Sequence, residues 1–355
     1  MPEQQKLQSL VSTVQLLMAP GKGLLAADES AATVEKRFAP IHLENTEDNR
    51  RAFRELFFTA PEIEQYISGV ILFDETIRQK ASSGEMFVSI LQKQGIVPGI
   101  KVDLGVEAME GHPNEKVTKG LVGLEGRMSE YYGLGARFAK WRSVITIGQG
   151  CPSEANIIEN MTTLAAYAKI CQAAGIVPIV EPEVIMDGSH TLEHCAEVTA
   201  QVEQELFRQL KASEVALEGL ILKSNMVIAG KDCPVQPDSS AIAKATLETF
   251  TKNVPSNIGG IVFLSGGQSE KQSTKNLNEM HKQSQLPWPL TFSYARALQD
   301  SATKTWSGKP ENVKKAQEVF IHRATMNSLA SLGTYEESIE MESVESFGES
   351  QASQD

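Results

Sequence analysis

The chain has 355 residues, with 33 Lys plus Arg against 45 Asp plus Glu, a formal net charge of −12. Its 41% hydrophobic and 22% charged content is that of a soluble globular protein, long enough to form two average domains or one large α/β barrel. The acid excess argues against nucleic-acid partners, although a local basic pocket can still take a small anion. No apolar run approaches the roughly 18 residues of a membrane span, and the polar start MPEQQKLQSL has no signal-peptide core.

The first element in chain order is helical: Leu7, Leu10, Val11, Val14, Leu17 and Met18 recur at helix spacing until Pro20-Gly21 ends the pattern. Eight short apolar or β-branched runs follow, near 23–28, 67–75, 96–105, 141–148, 176–184, 220–227, 258–265 and 290–294. Helix-period stretches separate most of them. One has Ser153 as its N-cap and ends at Gly175, and another carries Leu192, Cys195, Val198, Thr199, Val202, Leu206 and Leu210 on one face. The last helix falls near 311–332. Eight strand–helix units at intervals of about 30 to 45 residues predict an α/β fold, a single closed (β/α)8 TIM barrel. No linker interrupts the series, so the barrel domain is assigned to 1–335. Residues 336–355 hold seven acidic residues and no Lys or Arg, leaving −12 + 7 = −5 on the barrel, and are predicted to form a flexible acidic tail. The cysteines, Cys151, Cys171, Cys195 and Cys233, form no CxxC and read as reduced thiols of a cytoplasmic protein; a processed plastid form would look the same.

Chemistry in such a barrel sits at the C-terminal strand ends. Charged residues gather there: Asp28 on the first strand, Asp74 and Glu75 on the second, Lys101 and Asp103 on the third, Lys140 and Arg142 on the fourth, Glu181 and Glu183 on the fifth and Lys223 on the sixth. Side chains at i and i+2 share one face of a strand, so each of these spaced pairs can point into the barrel together. A structural ion pair explains any one of them, but convergence of so many charges on one mouth points to a site. The turn Ser265-Gly266-Gly267 and the stretch Ser293-Tyr294-Ala295-Arg296 end the seventh and eighth strands. Backbone N–H groups there, with Arg296, suit a phosphate, while Lys101, Lys140 and Arg142 suit a second anion across the mouth. A doubly phosphorylated small molecule fits that layout.

An ordinary lysine, with a pKa near ~10.4, is protonated at neutral pH and a poor nucleophile. Desolvation or a second cation frees a lysine amine to attack a ketone and form an imine, which serves as an electron sink for breaking the adjacent C–C bond. A buried Lys223 with Lys140 across the barrel meets both conditions, and the glutamates supply proton transfer.

The segments Gly21–Ser30, Gly99–Asp103, Ala139–Arg142, Val180–Glu183, Leu222–Val227, Phe263–Gln268 and Phe292–Leu298 resemble, in order and over about residues 5–335, class I fructose-1,6-bisphosphate aldolase. The resemblance implies that Lys223 is the Schiff-base lysine, Glu181 the general acid/base and Glu183 its supporting carboxylate. It implies that Asp28 assists C–C cleavage beside the C4 hydroxyl, and that Lys140 stabilises negative charge and keeps the neighbouring lysine reactive. Ser265, Gly266, Ser293, Ala295 and Arg296, with the adjoining Gly267, match the C1-phosphate side. Ser30, Lys101 and Arg142 match the side of the C6 phosphate and substrate hydroxyls, with Thr33 where the family usually has Ser. The implied reaction is reversible cleavage of fructose 1,6-bisphosphate to dihydroxyacetone phosphate and glyceraldehyde 3-phosphate, in glycolysis, gluconeogenesis and the Calvin cycle, with no cofactor and no metal. The implied partners are a phosphorylated sugar and copies of the same chain in a homotetramer, with neither nucleic acid nor membrane. Other departures are Ser224 for the usual Pro, Ala295 for the usual Gly, and an end at Gln354-Asp355 where many relatives have a tyrosine; the last tyrosine here is Tyr335.

Three alternatives compete with this reading. His190-Thr191-Leu192-Glu193-His194 fits an HxxEH zinc pattern, against the plainer reading of a helix start after the Asp187-Gly188-Ser189 turn. Another imine-forming barrel, such as a transaldolase, needs only one phosphate grip. A non-catalytic barrel scaffold has no reason to carry so charged a mouth.

Overall fold

The eight runs form eight parallel strands: β1 (Gly23–Ala27), β2 (Ile67–Leu72), β3 (Val97–Lys101), β4 (Phe138–Ile145), β5 (Val177–Val184), β6 (Ile221–Ser224), β7 (Gly260–Phe263) and β8 (Leu290–Tyr294). They close into a barrel in which each strand lies beside its chain neighbours and β8 returns to β1, the TIM-barrel arrangement. The computed structural model describes residues 3–283 and 286–340.

Strand alternation sorts the side chains into two cores. One fills the space between the strands and the surrounding helices. The other fills the lower half of the barrel interior and includes Leu24, Ala26, Ile71, Phe138, Val177, Ile179, Ile221 and Val262. The N-terminal helix Glu3–Leu17 closes the bottom by inserting Leu10, Val14 and Leu17, followed by Met18, into this second core. Gly69 makes the insertion fit, because a methyl group there would meet Leu17 at 2.5 Å. An apolar plug therefore occupies the lower barrel and leaves only the top for chemistry.

The helix boundaries follow local capping. Ser153 accepts from Asn156 N and starts the helix Glu154–Ala173, whose end is followed by Gly175 at φ +76°. Thr191 accepts from His194 N and starts the helix Leu192–Ala212. The last helix spans Val313–Ser331.

Two expectations are corrected, and one element is added. Asp74 and Glu75 do not end β2. They begin the one-turn helix Asp74–Ile77, where Arg78 and the Tyr131 hydroxyl hold Asp74 and Arg50 holds Glu75 away from the mouth. Beyond β3 the chain makes an antiparallel hairpin, Val106–Ala108 with Lys116–Thr118, that the apolar pattern did not indicate. The acidic segment is not free from residue 336 onward: Glu337 pairs with Lys275, and buried Glu340 lies 2.6 Å from Arg323 and 3.1 Å from Lys271. The rest of the expected tail, 341–355, lies outside the described residues. The four cysteines are free thiols, three of them buried. Among the described residues, no helix is long and apolar enough to cross a membrane.

Candidate active site

The parity that fills the lower barrel with Leu24, Phe138, Ile179 and Ile221 places Asp28, Lys101, Lys140, Glu181 and Lys223 above them on the same inner face. Register brings Lys101 beside Lys140 across β3 and β4, and Arg142 beside Glu181 across β4 and β5.

Four of these side chains form a buried chain of alternating charge. Lys140 Nζ lies 2.8 Å from Asp28 Oδ2 and 3.3 Å from Glu181 Oε2, and Lys223 Nζ lies 3.1 Å from Glu181 Oε1. Each Glu181 oxygen thus faces one ammonium, although Oε2 meets Lys140 as an ion contact without hydrogen-bond alignment. Burial alone would raise the Asp28 pKa, but Lys140, Lys223 and Lys101 outweigh it and hold the carboxyl at about 2. Burial likewise works against the Lys140 ammonium, yet Asp28, Glu181 and Asp103 keep its pKa above the ordinary lysine range.

One layer higher, Arg142 pairs with Glu183, and Lys101 lies 2.6 Å from Asp103. Desolvation opposes the Arg142 charge, and Glu183, Glu181 and Asp103 hold it. The Arg142 side chain retains 41% exposure and can still reach a ligand. A cleft of about 490 Å3 opens here, with Asp28, Ser30, Thr33, Lys101 and Arg142 on its wall. Ser30 caps the helix Ala31–Phe38 and contacts Thr33 Oγ1 at 3.1 Å.

The other rim is made for an anion. Gly266 and Gly267 have φ of +48° and +81°, and the Ser265-Gly266-Gly267 turn begins one residue, Leu264, after β7. A methyl group on Gly267 would lie 2.6 Å from Met186 Sδ and 3.8 Å from Arg296 Nη2, so the bare backbone passes close beneath that guanidinium. Ser293, at the end of β8, is buried, and its Oγ has no hydrogen-bond partner among the described residues. Ala295 occupies the N-cap position of the helix Arg296–Trp306 without a side-chain cap, which leaves that helix's first N–H groups open to an anion. A phosphate would give the Ser293 hydroxyl its missing partner.

Residues 9–352 match the family described as fructose-bisphosphate aldolase class-I. The chain belongs to this aldolase family. It is 52% identical over 330 residues to a probable fructose-bisphosphate aldolase class 1 of Xanthomonas axonopodis pv. citri (strain 306), covering 93% of this chain and 99% of that one. It is 50% identical over 329 residues to the fructose-bisphosphate aldolase of Dictyostelium discoideum, covering 92% of each. A solved Plasmodium falciparum fructose-bisphosphate aldolase, crystallised with TRAP and a small-molecule inhibitor, matches with a TM-score of 0.93 and 47% identity, over 94% of this chain and 96% of that one. Membership removes the transaldolase reading.

The HxxEH pattern comes apart in space. His190 is buried, with neither ring nitrogen hydrogen-bonded among the described residues, whereas His194 is exposed and pairs with Glu197 at 3.3 Å. Among the described residues, no group of three or more His, Cys, Asp or Glu is arranged to hold a metal ion.

Two supports of the charged mouth were not assigned a site role from the sequence. Asp103, besides pairing with Lys101, accepts from Gly105 N and Arg142 N and so ties β3 to β4; its spacing of two from Lys101 was the available signal. Glu29, next to Asp28, is clamped by buried Arg54 at 2.6 Å and by Arg37 at 3.1 Å. Arg37 comes from the helix Ala31–Phe38 that begins just after Glu29 and Arg54 from the next helix, Glu47–Phe58, and neither spacing announces the contact.

Proposed function

We propose that this chain catalyses reversible cleavage of fructose 1,6-bisphosphate to dihydroxyacetone phosphate and glyceraldehyde 3-phosphate, with Lys223 as the imine-forming nucleophile. The observation that carries this reading is the buried Lys223 amine 3.1 Å from Glu181, beside the Asp28–Lys140 pair.

Glu181 takes a proton from the Lys223 ammonium, and the neutral amine attacks the C2 carbonyl. The same carboxyl passes a proton to the departing hydroxyl, and loss of water leaves the protonated imine. Asp28, held ionised by Lys140, receives the C4 hydroxyl proton as the C3–C4 bond breaks. That bond's electrons flow into the imine to form an enamine, and glyceraldehyde 3-phosphate departs. The enamine carbon gains a proton while Asp28 gives up the one it took from the C4 hydroxyl, and addition of water to the imine then releases dihydroxyacetone phosphate and restores Lys223. Lys140 stays charged throughout and stabilises the negative charge developing between the two carboxylates. Glu183 keeps Arg142 oriented. Ser265, Gly266, Gly267, Ser293, Ala295 and Arg296 grip the C1 phosphate, and Ser30, Thr33, Lys101 and Arg142 face the C6 end.

The broader setting in this proposal is glycolysis, gluconeogenesis and the Calvin cycle, with a cytoplasmic homotetramer as the working form. Relatives named as cytosolic isozymes, such as the Arabidopsis thaliana fructose-bisphosphate aldolase 4, support the location. The decisive experiment is borohydride reduction during turnover of fructose 1,6-bisphosphate, followed by peptide mapping. The expected result is an adduct on Lys223. An adduct on another lysine, or turnover without any adduct, would refute the assignment.

A further inference from the structure

The backbone that carries Lys223 is poorly tethered on one side. β6 pairs with β7 along its whole length, from Ile221 beside Gly260 to Ser224 beside Phe263. Toward β5, the strand that carries Glu181, its register covers only Ile221 and Leu222. Lys223 and Ser224 therefore lack a backbone ladder on the side that matters for proton transfer.

Side chains take over there. Alternation turns Ser224 outward, away from Lys223, into the layer between the sheet and the helix Leu192–Ala212. Ser224 Oγ donates to Glu203 Oε1 at 3.1 Å, and both residues are fully buried. The next residue is held in the same way: Asn225 donates to Thr199 Oγ1 at 3.3 Å, and its Oδ1 accepts from Val184 N at the end of β5 at 3.0 Å. Thr199 and Glu203 stand one helical turn apart, so one helix face pins two successive residues after the reactive lysine.

Glu203 is an expensive anchor. Its neighbours on the helix face are Val198, Val202 and Leu206, and its Oε2 has no hydrogen-bond partner among the described residues. Burial raises its pKa to about 8, against a smaller opposing effect of the Ser224 hydrogen bond, and so favours the neutral acid. A neutral acid can hold Ser224 without placing an anion behind the amine. A leucine would pack there more cheaply but would leave the Ser224 hydroxyl unheld.

We propose that Glu203 is a positioning residue for the aldol reaction: through Ser224 it sets the direction from which the Lys223 amine meets the substrate carbonyl. This rests on Lys223 being the imine-forming amine.

The test compares the full-length wild type with Glu203→Gln, Glu203→Leu, Ser224→Ala and the Glu203→Leu/Ser224→Ala double variant. The measurements are kcat, KM, the rate of borohydride-trapped adduct formation and Tm, with the adduct mapped in each protein. Glu203→Gln, which keeps a neutral acceptor of the same shape, is expected to retain wild-type kcat. Glu203→Leu is expected to lower kcat and the trapping rate together by about 10-fold with KM little changed, because a small misplacement of a reacting group costs rate rather than affinity. Ser224→Ala should reproduce that loss, and the double variant should be no worse than either single one. Should Glu203→Leu fail to fold, Ser224→Ala, which removes one oxygen, carries the same expectation. Wild-type kcat in the soluble single variants, with the adduct on Lys223 and only Tm altered, overturns the positioning role alone. An adduct on a different lysine overturns this proposal together with the assignment of Lys223.

Discussion

Asp28 and Glu203 are both buried carboxylic acids in the upper barrel, and their surroundings drive them in opposite directions. Asp28 lies inside the barrel against Lys140, with Lys223 and Lys101 near, and its pKa falls to about 2. Glu203 lies in the sheet–helix layer with Ser224 as its hydrogen-bond donor, and its pKa rises to about 8. Burial penalises both anions. What differs is compensation: the inner face of the strands supplies cations, and the outer face supplies apolar side chains. The barrel wall thus separates a region where charge is kept for chemistry from one where an acid persists by staying neutral.

The largest effect should come from removing the nucleophile from the compensated side. Lys223→Ala is expected to lower cleavage of fructose 1,6-bisphosphate by at least about 10³-fold while circular dichroism and Tm stay native-like. Turnover near the wild-type rate would mean that another group carries the chemistry.

Lys140→Met breaks the compensation itself. It leaves Asp28 and Glu181 buried beside fewer cations, which should cost about 3–5 kcal/mol in denaturant unfolding and raise the Asp28 pKa in a carboxyl-resolved NMR titration. An unchanged Asp28 titration would show that Lys140 does not hold that carboxylate.

The uncompensated side is reached through pH. In the unfolded chain Glu203 ionises near its ordinary 4.5, in the folded chain only near 8. Between those values the folded state binds the extra proton, so this residue's contribution to stability is undiminished below pH 4.5 and falls as pH rises toward 8. At 1.36 kcal/mol per pH unit, the loss between pH 4.5 and pH 7 is roughly 3 kcal/mol. Wild type should lose that much relative to Glu203→Gln across the window; parallel stability curves would contradict a raised Glu203 pKa. Asp28 has the reverse sign: its stabilisation is present above pH 3.8 and is lost as pH falls through about 2.

The smallest effect is expected at the exposed rim. Arg296→Ala removes a charge-assisted contact to phosphate, so KM should rise roughly 10-fold or more, with kcat changing less. An unchanged KM would remove Arg296 from the phosphate grip.

Much of this molecule is legible in the order of its residues. Eight apolar runs separated by helical periods predict the barrel, and the spacing of two between Lys101 and Asp103, Lys140 and Arg142, and Glu181 and Glu183 predicts a charged mouth, because strand alternation is a local property of the backbone. Capping at Ser153 is equally local. Glu203 was half legible: it falls one turn after Thr199 on a helix face otherwise read as apolar, a pattern that places it inside without naming its partner. Only the closed barrel decided that Glu181 sits between two ammoniums, that Arg37 and Arg54 brace Glu29, that Asp74 and Glu75 turn away from the mouth, and that Glu340 docks on Arg323. Most of these pairings join residues brought together by barrel closure or helix packing, and even the nearer ones, Arg37 with Glu29 and Arg78 with Asp74, depend on how the chain turns after its strand; a pairwise energy of this kind leaves no periodic trace along the chain.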